Sequence, residues 1–111
     1  MNGELTLGEN IADLSGVTIA QRAYRSSLRD RPAPVLDGFT GDQRFFLGYA
    51  QVWREKIRDD ALRQQLLSDP HSPGQYRTNG VVTNVPGFYE AFGLAAGDKL
   101  FRPAEQRVAL W

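Results

Sequence analysis

No cysteine occurs in the 111 residues, and there is a single histidine and a single methionine. The missing thiols exclude disulfides, Cys-ligated zinc, iron–sulfur clusters and thiol catalysis within this chain. One histidine, His71, forbids a two-histidine metal site built from these residues alone, H-E-x-x-H included. Charge of one sign is not in excess either, with 13 Lys+Arg against 13 Asp+Glu. That balance removes electrostatic attraction to nucleic acid or to an anionic membrane as a default role. No apolar run approaches the roughly 20 residues of a membrane span. The start MNGELTLGENIAD has neither the basic opening nor the apolar stretch of a signal peptide. Any chemistry must therefore come from carboxylates, arginines and His71, or from elsewhere.

Composition is that of a globular chain, 41% hydrophobic and 23% charged. We read residues 1–111 as one mainly α unit with one or two short extended segments. Leu7, Ile11, Leu14, Val17 or Thr18, and then Ala20, Ala23, Tyr24 and Leu28 recur at spacings of three and four. That period predicts a helix from Thr6 to about Arg29. Thr6 followed by Glu9 resembles a capping box at its start. Gly16 costs about 1 kcal/mol against alanine inside a helix, so a close packing partner is expected there. Pro32, Pro34 and Gly38 make RDRPAPVLDG a loop. A second helix is expected from Thr40–Asp42 to about Ile57. Its apolar face (Phe45, Phe46, Tyr49, Ala50, Val52, Trp53, Ile57) is wide enough to be packed on more than one side. A third covers Asp59 to Ser68 with Leu62, Leu66 and Leu67 inward. TNGVVTNV, short and β-branched, reads as extended. PGFYEAFG reads as a short helix with proline in its first turn. A last extended piece is expected at Arg107–Trp111.

Two groups of side chains could carry chemistry. Glu9 and Asp13 lie four apart, on one helix face, where like charges cost a few tenths of a kcal/mol. Leu7, Ile11, Ala12 and Leu14 surround them, so part of that face should be buried. A buried carboxylate pair needs a cation or donors, whereas a solvated acidic face needs neither. His71 sits between Pro70 and Pro73 on a stiffened loop, and Arg77 follows six residues later. Arginine suits gripping a carbonyl or carboxylate. Together on a rigid loop, these two could receive an oxyanion and hold a peptide. The plain alternative is a surface histidine.

LTLGENIADLSG resembles the zinc-binding helix of the neprilysin / endothelin-converting-enzyme family of metallopeptidases. The resemblance continues in order through AYR, FFLGYAQVWR, SDPHSPGQYRTNG, NVPGFYEAFG and RVAL before the last residue, Trp111. It implies the helical C-terminal part of a thermolysin-like (gluzincin) catalytic domain. Glu9 then matches the third zinc ligand, and Asp13 the aspartate that orients a zinc-bound histidine. His71 matches the histidine that donates to the oxyanion of the transition state. Arg77 matches the arginine binding the substrate backbone, and Val52 and Trp53 match residues lining the apolar pocket after the cleaved bond. Core packing is the other reading of Val52 and Trp53. The family's H-E-x-x-H helix, substrate-binding strand and large second domain lie upstream of these motifs and are absent from this sequence. Where the extracellular animal members carry a cysteine, this chain has Val108, which points to a bacterial relative.

The resemblance thus implies part of a zinc metalloendopeptidase that cuts internal bonds of small peptides, preferring an apolar residue after the cut. Its partners would be peptide substrates and the upstream part of the same catalytic domain, with no nucleic acid. The parent would be secreted, periplasmic or membrane-anchored. By itself the chain is expected to be inactive and prone to self-association. The rival expectation is a non-catalytic helical interaction module that retains the family scaffold.

Overall fold

The computed structural model describes residues 1–110, which form helices α1 (Gly3–Ser27), α2 (Gly41–Val52), α3 (Asp59–Ser68), α4 (Gly74–Val82) and α5 (Pro86–Phe92). A single 3-10 turn follows at Ala104–Gln106. Among the described residues, β pairing is limited to the isolated bridge Leu36–Phe39, closed over Asp37 and Gly38, both at positive φ.

Helix α1 begins earlier than its apolar period suggests. Asn2 is the cap, its Oδ1 accepting from the N–H groups of Glu4 and Leu5 at 3.1 and 3.2 Å. The capping box expected at Thr6 is therefore absent, the cap lying one turn earlier, and the Thr6 hydroxyl donates to the Asn2 carbonyl instead. Gly16 has no close partner: nothing lies within 4 Å of where its Cβ would be. At α2 the reciprocal cap is present, Thr40 with Gln43, but the helix stops at Val52, five residues short of Ile57. Leu62 and Leu66 of α3 are half-buried, while Leu67 points outward at 77% exposure.

The largest departure is at TNGVVTNV. Its first half belongs to α4, not to an extended segment. Pro73 opens that helix, its carbonyl accepting from the N–H groups of Tyr76 and Arg77. Valine disfavours a helix by only a few tenths of a kcal/mol, whereas burying one is worth roughly 1.5–3 kcal/mol. Val81 and Val82 are both buried, so packing overrides propensity. Helix α5 forms as expected, with Pro86 in its first turn and Gly93 as a left-handed cap. No strand forms over 107–110, and Trp111 lies outside the described residues.

The core gathers Leu14 and Val17 of α1, Phe46 of α2, Val81 and Val82 of α4, and Val85, Phe88 and Tyr89 at α5. Phe46 meets Phe45 and Phe88 edge-on, with ring centroids 5.1 and 5.6 Å away. The Tyr89 hydroxyl donates to the Thr83 carbonyl and accepts from the Arg102 N–H, and Arg107 covers its ring. These contacts pin the tail and leave the N-terminal half of α1, the 69–73 loop and α4 to meet on one side.

Candidate active site

Helical spacing puts Glu9 and Asp13 one turn apart on α1. Packing of α4 against α1 brings Arg77 onto Asp13 as a two-pronged pair, Nε to Oδ2 at 2.6 Å and Nη2 to Oδ1 at 2.8 Å. Both side chains are only 12% exposed. The hydrogen bonds to Asp13 hold the guanidinium above its ordinary pKa against the opposing effect of burial. Its flat face stacks on the Trp53 indole, 4.0 Å from the ring centroid, and Nη2 lies 3.6 Å from Glu9 Oε2. Arg77 thus sits on a helix, not on the loop expected for it. The cation needed by the acidic face is Arg77 itself.

His71 is set by Asp69, which sequence reasoning gave no role. Asp69 Oδ1 accepts from the His71 backbone N–H at 2.8 Å and lies 2.7 Å from Nδ1. The first of these bonds, and then the second, hold the Asp69 carboxyl below the usual carboxylate range. A carboxylate only accepts, so Nδ1 carries the proton and Nε2 faces Glu9 Oε2 at 3.4 Å. The loop is clamped behind His71 as well. The Gly74 N–H donates to Glu55 Oε1 at 2.9 Å, and a Cβ at Gly74 would stand 2.5 Å from the Trp53 carbonyl oxygen. Only glycine allows that approach to the end of α2.

Glu9, Asp13, His71, Arg77 and Trp53 therefore form one cluster. Val52 does not join it: at 72% exposure it stands on the rim of a shallow groove between α1 and α2 that reaches Asp13, Gly16 and Phe45. Sequence reasoning also missed Tyr49, whose hydroxyl donates to the Arg77 carbonyl at 2.8 Å. Burial, then the nearby Asp13 charge, pushes its phenol up to about 12. The folded state keeps a proton that the unfolded chain releases near pH 10, so stability should fall as pH rises from about 10 to about 12. Tyr49→Phe should flatten that fall. Melting temperatures at pH 8 and 11 decide it, since equal losses in both proteins would remove Tyr49 as the cause.

Among the described residues, no group of three or more His, Asp or Glu side chains is arranged to hold a metal ion. Asp13 is engaged by Arg77, and His71 Nδ1 by Asp69. Glu9, 42% exposed and held only by the longer contacts, is the one carboxylate of the cluster open to a cation. These residues fit one corner of a metal site and no more.

A model of peptidase family M13 matches residues 1–108. The chain is similar to neprilysin-1 of Caenorhabditis elegans, 44% identical over 116 residues, covering all of this chain and 15% of the relative. Human endothelin-converting enzyme 1 is 40% identical over 112 residues, covering 97% of this chain and 14% of the relative. Among solved structures, the Mycobacterium tuberculosis zinc metalloprotease ZMP1 in complex with an inhibitor is 51% identical. It superposes with a TM-score of 0.96 over 98% of this chain and 17% of that one. The open state of the same protease gives a TM-score of 0.95. The chain thus spans about a seventh of the length of these two relatives. The mycobacterial likeness agrees with the bacterial origin expected from the sequence. No helix of the described residues is long and apolar enough to cross a membrane.

Proposed function

The chain belongs to peptidase family M13, and on that premise we propose that residues 1–111 are the C-terminal part of a catalytic domain in a bacterial zinc metalloendopeptidase. The observation that carries this reading is convergence. Asp13 and Arg77 are 64 residues apart in sequence, yet they meet in one cluster with Glu9 and His71. Asp13 and Arg77 are mostly buried where they meet, as a purely solvated acidic face would not be.

In this reading Glu9 is one of three protein ligands, and the other two come from an H-E-x-x-H helix upstream. Zinc, when bound, polarises the scissile carbonyl and favours attack by water at neutral pH. Asp13 has about four lone-pair positions on its two oxygens, and Arg77 uses one on each. The remainder can accept the N–H of an upstream histidine ligand and orient its ring. His71, its Nδ1 proton held by Asp69, presents Nε2 to the oxyanion, donating when that nitrogen is protonated. Arg77 keeps donors to spare for the substrate backbone beside Trp53. Trp53, stacked on Arg77, and Val52, on the rim of the groove between α1 and α2, would contribute from separate positions to the pocket for the apolar residue after the cut. The substrates are small peptides, cut at internal bonds.

A chimera tests the reading: residues 1–111 replace the segment of the mycobacterial ZMP1 protease to which they align. The chimera should hydrolyse an internal bond of a fluorogenic peptide in a zinc-dependent manner, whereas the 111-residue chain alone should not. Hydrolysis by the chain alone that survives repurification would overturn the proposal. So would a folded, zinc-loaded chimera without activity, which would favour the interaction module.

A further inference from the structure

The loop that carries His71 is joined to the helix that carries Glu9 by a partly buried hydrogen bond. Ser72, 2% exposed, donates its Oγ–H to Asn10 Oδ1 at 2.9 Å. Asn10 is the residue after Glu9, and Ser72 the residue after His71. We infer that Asn10 and Ser72 are positioning residues that set the spacing of His71 from Glu9, an inference that rests on the peptidase reading for its catalytic meaning.

The geometry separates three constraints on His71. Asp69 fixes the rotation of the ring, through Nδ1. Gln65 holds the His71 carbonyl from α3, with Nε2 3.2 Å away. Neither contact refers the loop to α1. The Ser72–Asn10 bond does, and it is backed by a relay along the helix. Asn10 Nδ2 donates to Thr6 Oγ1 at 3.4 Å, and the Thr6 hydroxyl donates to the Asn2 carbonyl at 3.1 Å. Thr6 is itself 2% exposed. With its amide nitrogen directed to Thr6, the Asn10 oxygen is left to receive Ser72. A buried hydroxyl without a partner is costly, so the native loop position is the one that keeps this bond. The contact between His71 Nε2 and Glu9 Oε2 is 3.4 Å and half-exposed, too weak to set the spacing unaided.

His71 is the only histidine, so its ring signals in a proton NMR spectrum are unambiguous. In the 111-residue chain, Ser72→Ala should weaken the Overhauser contact between the His71 ring and the Glu9 side chain several-fold at fixed pH. Asn10→Asp keeps an acceptor for Ser72 and should retain the contact. Val85→Ala, a core truncation that lowers stability without touching this loop, should also retain it. In the chimera, Ser72→Ala should lower kcat by roughly ten- to a hundred-fold with KM within about twofold, as for lost support of a catalytic group, whereas Asn10→Asp, which keeps the acceptor for Ser72, should retain most of the activity. An Overhauser contact unchanged in Ser72→Ala, or lost equally in Val85→Ala, would overturn the inference. An unchanged kcat in an active chimera would overturn it too. A chimera inactive before any substitution would instead overturn the peptidase reading, and the NMR comparison would still decide whether the tether sets the spacing.

Discussion

Glu9→Ala in the chimera should reduce peptide hydrolysis by on the order of a thousandfold or more, the several kcal/mol that Lewis-acid stabilisation of a transition state supplies. Zinc content should fall with it. The expectation follows from what Glu9 does not do in the fold. Its carboxylate touches His71 at 3.4 Å and Arg77 at 3.6 Å, with 42% of the side chain exposed. Exposed pairs of that kind contribute about 0–1 kcal/mol. Removing Glu9 should therefore leave the unfolding midpoint of the 111-residue chain nearly where it was. Activity, metal content by elemental analysis and urea midpoint are the three readouts. Activity retained within tenfold at a normal midpoint would remove Glu9 as a ligand. A collapse of the midpoint would make its role structural.

Asp13→Ala should behave in the opposite way and lower the unfolding free energy of the chain itself by about 3–5 kcal/mol. That is a large share of the ~5–15 kcal/mol that holds a domain together. Asp13 and Arg77 are each 12% exposed and joined by two short hydrogen bonds. Truncating one leaves the other charge buried without its partner, and the loss is mostly that desolvation penalty. Arg77 has few ways to escape it, because its carbonyl is held by Tyr49 and its guanidinium lies on Trp53. Replacing both members with apolar side chains, Asp13→Leu with Arg77→Met, should recover most of the stability, since neither charge then remains. Urea unfolding of the unsubstituted chain, Asp13→Leu, Arg77→Met and the doubly substituted protein forms a closed cycle with a coupling energy of several kcal/mol. Additive losses would mean that the pair acts as two independent surface charges. The doubly apolar protein should fold and yet make an inactive chimera, which separates the structural role of the pair from its role in the site.

Local rules made much of this molecule legible. The three- and four-residue period located α1, α2 and α3, because a helix face is a property of neighbouring residues, and the proline of PGFYEAFG marked α5. The same rule placed Glu9 and Asp13 on one face, and the family motifs around them, GENIAD and DPHSPG, named the chemistry to look for. Errors fell where a local preference met a non-local force. Val81 and Val82 favour extended backbone, yet burial against the core keeps them helical in α4. Thr6 and Glu9 have the spacing of a cap, yet Asn2 lets the helix start a turn sooner. Gly16 looked like a packing contact and faces open space.

What only the folded chain decided is who meets whom. Nothing in the order of residues says that Arg77 neutralises Asp13, that Asp69 sets the His71 ring or that Ser72 reaches Asn10. Two of those pairs join residues more than sixty positions apart and depend on burial, and the third, between exposed neighbours, depends on the turn of the 69–73 loop. Period and motif act within a few residues. The partner of a charge is chosen by three-dimensional packing, where desolvation makes an unmatched ion or hydroxyl too costly to keep.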